Sequence, residues 1–107
     1  MSTSSFDTTA SLAGHASYPG SPVWDTVVNY NKFFVQIIAD TACQLTVYES
    51  NDATPTINNS AIFVYNYNSM NNCVIIEGNI TCNKIYFSLY NTLNAPQSKL
   101  YFSVIYK

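Results

Sequence analysis

From residue 23 onward the chain alternates apolar and polar positions with a period of two, and Asn, Asp, Ser, Gly or Pro interrupts the pattern at short intervals. The alternation is clean over 43–49, where Leu45 and Val47 share one face. It is cleaner still over 82–90, where Ile85, Phe87 and Leu89 oppose Lys84, Tyr86, Ser88 and Tyr90. Successive side chains of a strand point to opposite faces, so this period predicts half-buried β-strands. Further strands are predicted over 23–28, 32–38, 61–67, 73–76 and 99–106, all rich in β-branched and aromatic residues. The breaks fall at 50–55, at 68–72, at Gly78-Asn79 (read as a tight hairpin turn) and at 91–98. No window places apolar residues at three-and-four spacing, so no helix is expected.

Short strands at regular spacing point to an all-β domain, an antiparallel sandwich of jelly-roll or immunoglobulin-like type with six to eight strands. Residues 1–22 are different: Ser, Thr, Ala and Gly dominate, no period is visible, and the stretch ends in Tyr18-Pro19-Gly20-Ser21-Pro22. They are expected to form an extended N-terminal arm on a sandwich domain spanning 23–107.

Composition narrows the partners. Only 9% of the 107 residues are charged, with a net charge of −2, against about 25% in ordinary globular proteins. There is no arginine, and the cations Lys32, Lys84, Lys99 and Lys107 are scattered, so no basic stripe for a phosphate backbone exists and nucleic acid is not expected as a partner. The longest apolar stretch, 33–39, is far below the ~20 residues of a membrane helix, and the N-terminus carries no secretory pattern. No membrane association is expected, and the product is expected to stay in the cytoplasm, with its thiols reduced.

The residues that carry chemistry are sparse. His15 is the single histidine and lies in the arm, which leaves no base for a Ser-His-Asp or Cys-His arrangement. Of the six carboxylates, Asp40, Asp52 and Glu77 fall in or beside expected turns, the six offer no recognisable pair for glycoside hydrolysis, and no calcium loop is present. Cys43, Cys73 and Cys82 lack the close spacing of a zinc site, and the hairpin register predicted around Gly78 makes Cys73 and Cys82 diagonal neighbours, too distant for a bridge. Three buried free thiols are expected. No catalytic, metal or cofactor site is expected, and the chain reads as non-enzymatic.

Tyrosine fills the less apolar side of several strands, and it combines apolar area with a hydroxyl at small entropic cost. Tyr18, Trp24, Tyr48, Tyr86, Tyr90 and Tyr101 are therefore the candidate interaction residues. A structural role is open for each: cross-strand pairing for the tyrosines, and docking of the arm's end for Trp24.

Two segments carry a resemblance. Val47-Tyr48-Glu49-Ser50-Asn51-Asp52 and Tyr86-Phe87-Ser88-Leu89-Tyr90-Asn91, followed by the closing strand Leu100-Tyr101-Phe102-Ser103-Val104, resemble the hairpin and strand pattern of small β-sandwich virion proteins of tailed phages and large DNA viruses. An arginine usual in that family's tyrosine strand is absent here. The resemblance implies a virion structural protein, an auxiliary, minor capsid or decoration protein assembled in the host cytoplasm. Its partners would be the major capsid protein or copies of itself. The alternative it leaves open is a carbohydrate- or receptor-binding module of a tail or fibre, with a glycan stacked on Trp24 or a tyrosine cluster.

Overall fold

In the computed structural model, which describes residues 2–3, 6–67 and 73–107, the chain forms two antiparallel sheets packed face to face. Three two-residue strands come first: β1 (Ser2–Thr3), β2 (Ser17–Tyr18) and β3 (Asp25–Thr26). Six long ones follow: β4 (Lys32–Ala39), β5 (Cys43–Ser50), β6 (Ala61–Tyr67), β7 (Cys73–Asn79), β8 (Lys84–Asn91) and β9 (Leu100–Tyr106). The front sheet has the order β1-β9-β4-β7; the back sheet has the order β2-β8-β5-β6, with β3 also on β8. A 3-10 turn, Ile57–Asn59, precedes β6.

The period-two pattern decides which side chains meet. Phe33, Val35 and Ile37 of β4 and Phe102 and Val104 of β9 face Leu45 and Val47 of β5 and Ile85, Phe87 and Leu89 of β8, and all are buried. Phe33 and Phe87 meet edge to face across the sheets at 5.2 Å, an arrangement that suits the ring quadrupoles. Each such apolar side chain removed from water contributes about 1.5–3 kcal/mol. Tyr67 closes one end of this core by donating its hydroxyl to the Ala39 carbonyl at 3.1 Å, so even its polar atom is satisfied.

Gly78 does not turn the chain. It lies within β7 opposite Phe33 of β4, and a Cβ built on it would stand 2.1 Å from the Phe33 ring. The glycine is there so that the ring can lie on the backbone. The hairpin expected at Gly78-Asn79 is therefore replaced by a crossover: β7 pairs with β4 in the front sheet and β8 with β5 in the back sheet. The cysteines also differ from expectation. Cys43 is buried and Cys82 half-buried, but Cys73, at the outer end of β7, is exposed, and all three are free. The turn expected at 68–72 lies outside the described residues.

The described residues among the first 22 run along the sandwich. β1 pairs with β9, Thr8 bridges Phe102 through two backbone hydrogen bonds of 2.8 and 2.9 Å, and β2 then pairs with β8 in the other sheet. Phe6 is the reason the segment stays: it is 1% exposed and packs edge to face on Phe87 at 5.3 Å. Midway, Leu12 exchanges hydrogen bonds with Gln97, while Asn91 donates to the carbonyls of Ala13 and Ala95 and accepts from the Thr41 hydroxyl. Gln97 also donates to Thr41 and to the Cys43 sulfur. This buried polar knot ties the N-terminal segment to the loops after β4 and β8.

Candidate interaction surface

Several ionisable groups tie loops and strands together. Asp40 accepts hydrogen bonds from the Ser98 hydroxyl and from the Ser98 and Lys99 amides, and these hold its carboxyl below the usual carboxylate range against a smaller opposing effect of burial. Glu49 receives the amides of Thr81 and Cys82 at 2.7 and 3.2 Å and so fixes the loop between β7 and β8. Asp7 accepts from the Val104 amide, Asp25 from the Tyr106 hydroxyl, and Glu77 pairs with Lys32 at 2.6 Å on the surface. Burial pushes the Cys43 thiol up, which keeps it protonated. Among the described residues no group of three or more His, Cys, Asp or Glu stands close enough to hold a metal ion. His15, in the left-handed region at φ 55°, lies flat against Tyr90 at 6.2 Å.

The structure gathers three of the six candidate aromatics. Tyr48 of β5 and Tyr86 of β8 are directly opposite on the outer face of the back sheet, and Trp24 leans on Tyr86 at 5.5 Å. Tyr86 is buried by them, at 6% exposure, although it lies on the outward side of its strand. Tyr90 shares that face four residues along the same strand, under His15. Tyr18 is turned inward, edge-on to Phe102 at 6.4 Å, and lines the seam between the sheets. Tyr101 is exposed on the front sheet, on the far side of the molecule from the other strands' tyrosines. The six do not form one patch.

The larger apolar surfaces lie elsewhere. On the outer face of the front sheet, Phe34 is opposite Ile105 of β9, and Ile75 of β7, one register step along, is 69% exposed. Phe34, Gln36, Ile75, Ser103 and Ile105 line a shallow groove there, and the Lys107 ammonium lies 4.8 Å over the Phe34 ring. On the back sheet, the edge strand β6 exposes three consecutive apolar side chains: Ile62 at 60%, Phe63 at 45% and Val64 at 47%. Ile62 and Val64 pair with outward Tyr48 and Thr46, whereas Phe63 pairs with buried Val47, so Phe63 belongs to the core side of its sheet and is still half open. The core is unfinished along that edge.

Sequence reasoning missed these residues for a physical reason. A continuous run such as Ile62-Phe63-Val64 reads as a strand covered on both faces. Only the sheet order, which leaves β6 at an edge, reveals that both faces are open.

The fold and this surface together define the chain as an antiparallel β-sandwich with apolar area left uncovered on one face and one edge. Comparison with protein-family models, with curated proteins and with solved structures gives no match to the chain.

Proposed function

We propose that this protein is a non-enzymatic structural subunit that works by packing against other protein surfaces, and that the assembly it serves is a virus particle, where it acts as an auxiliary or minor capsid protein. The observation that carries the packing role is the uncovered apolar area: Ile75 with Phe34 and Ile105 on the front sheet, and Ile62, Phe63 and Val64 along β6. Contiguous exposed apolar surface is costly in an isolated monomer and marks a contact site. The low charge of the chain favours lasting contacts, because few ions must be desolvated when surfaces close. The use of the carboxylates as loop ties, and the placement of His15 against Tyr90, favour a structural role over a catalytic one. The virion assignment rests on the resemblance of the 47–52 and 86–91 segments.

The test is incorporation. Particles purified on a density gradient from the source of the chain should contain it at fixed stoichiometry, and Ile75→Lys should lower that stoichiometry while leaving the fold intact. Absence of the chain from particles would overturn the virion assignment.

A glycan-binding module is the second reading, favoured by the cluster of Trp24, Tyr48 and Tyr86 on one face. The burial of Tyr86 leaves Trp24 and Tyr48, both half-buried, as the rings a sugar would meet. Titration with glycans, followed by Trp24 fluorescence, decides it: a saturable change supports a sugar site, and a flat response removes it.

A further inference from the structure

A two-sheet sandwich has four edges, and each must be kept from pairing with a stranger. In this fold three edges carry a recognisable guard. The front sheet ends on one side at β1, only two residues long. The free side of β8 is capped at its two ends by β2 and β3, and the chain between them contains Pro19 and Pro22, which have no amide hydrogen to offer. On the other side of the front sheet, β7 carries the charge of Glu77 in its ion pair with Lys32, and it contains Gly78, which weakens a strand's pairing. The fourth edge, β6, has none of these. Ala61-Ile62-Phe63-Val64-Tyr65-Asn66-Tyr67 contains no charge, no proline and no glycine, and every member of the strand pairs on one side with β5. Among the described residues, no strand pairs with Ile62–Asn66 on the other side.

We infer that β6 is the self-association strand: it pairs antiparallel with β6 of a second copy, about a two-fold axis at Val64, and joins the two back sheets into one. This inference deepens the proposed packing role by naming the partner. Two features point to a second copy. First, the strand is uncharged, so it offers nothing to a charged partner and does not repel its own image. Second, the pattern is self-complementary. Opposite residues of an antiparallel pair lie on the same face. An axis at Val64 sets Phe63 against the other copy's Tyr65 on the core side. It sets Val64 against Val64 and Ile62 against Asn66 on the outer side. All seven residues of β6 then find a partner, and the half-open Phe63 is covered by an aromatic ring from the neighbour. A two-fold contact closes on itself, so the product is a dimer and not a fibre.

The test is the solution mass by light scattering and sedimentation, from micromolar to millimolar concentration, for the full chain and for Val64→Lys and Val64→Glu. Val64 is exposed, so both variants should keep the native circular dichroism spectrum and a cooperative melt. The inference expects a dimer for the unaltered chain, monomers for each variant alone with at least a tenfold weaker association, and a mixed dimer when the two variants are combined, because Lys then faces Glu across the axis. A monomeric unaltered chain at all concentrations, an open-ended series of larger species, a dimer that survives Val64→Lys, or a mixture that stays monomeric would each overturn it. These outcomes are separate from the incorporation test: a monomer that still enters particles through Ile75 would remove the dimer and leave the packing role standing.

Discussion

Tyr48 and Tyr86 stand directly opposite each other on adjacent strands of the back sheet, with their rings stacked at 5.3 Å and only 14° apart. The pair sits on the outward face, where alternation alone would leave both rings wet, and Trp24 closes over Tyr86 from the side of the edge strand β3. Aromatic pairs of this kind contribute about 0.5–1.5 kcal/mol beyond the area they bury. A double-mutant cycle of Tyr48→Ala and Tyr86→Ala, read by chemical denaturation, should give a coupling in that range. Tyr86→Ala should also cost more than Tyr48→Ala, since it strips a packing partner from Trp24 as well, and Trp24 fluorescence should shift to the red in that variant alone.

The N-terminal segment is part of the fold, and Phe6 is what makes it so. Removing a buried phenylalanine ring costs about 3–5 kcal/mol. Phe6→Ala should therefore lower the melting temperature by well over ten degrees, whereas Ser11→Ala, at an exposed position of the same segment, should leave it unchanged. Equal melting temperatures for Phe6→Ala and the unaltered chain would mean that the segment does not support the core.

Asn91 uses both ends of its amide inside the protein; its own side chain and Thr41 are buried, and it reaches out to the carbonyls of Ala13 and Ala95 and to the Leu93 amide. Asn91→Leu would leave the Ala13 and Ala95 carbonyls and the Thr41 hydroxyl short of a partner. Each unsatisfied buried group costs about 1–3 kcal/mol. Thermal unfolding should show a drop larger than that of Thr92→Ala on the neighbouring exposed residue, and hydrogen exchange at Leu12 and His15 should accelerate.

Acid should loosen the loop that leads into β9 before it unfolds the sheets. The Asp40 carboxyl is held below its ordinary value by the Ser98 hydroxyl and by backbone amides. A carboxyl whose folded pKa is depressed adds stability that is fully present above the unfolded value of about 3.9 and is lost as pH falls through the folded one. Thermal melts between pH 6 and pH 2 should therefore show a decline that begins below about pH 4, by the ordinary carboxylate value. Asp40→Asn should show a flatter decline over the same interval and no change in its slope near neutrality.

The long strands were legible from alternation or from runs of β-branched and aromatic residues: 32–38, 43–49 and 61–67 fall on β4, β5 and β6, while the expected 82–90 and 99–106 begin ahead of β8 and β9, which start at Lys84 and Leu100. What alternation does not encode is the identity of the neighbours. Gly78-Asn79 has the composition of a hairpin turn, and it lies in a strand because the Phe33 ring needs the space that a side chain would fill. Phe6 is one apolar residue in a polar stretch, too few to show a period, and yet its burial against Phe87 anchors the N-terminal segment. Tyr86 is on the outward side of β8 as its pattern indicates, but its cover comes from Trp24 and Tyr48, which are remote in sequence. The exposure of Ile62, Phe63 and Val64 follows from β6 being last in its sheet, a property of strand order alone.

The central claim, that uncovered apolar edges of this sandwich exist to be covered by other protein, is tested most directly by hydrogen exchange along β6. Amides of Ile62–Asn66 that point away from β5 should exchange fast in dilute protein and slow by at least tenfold at high concentration or in assembled particles, while amides of β4 and β5 stay slow throughout. Equal and fast exchange of the outer β6 amides under all of these conditions would contradict the account.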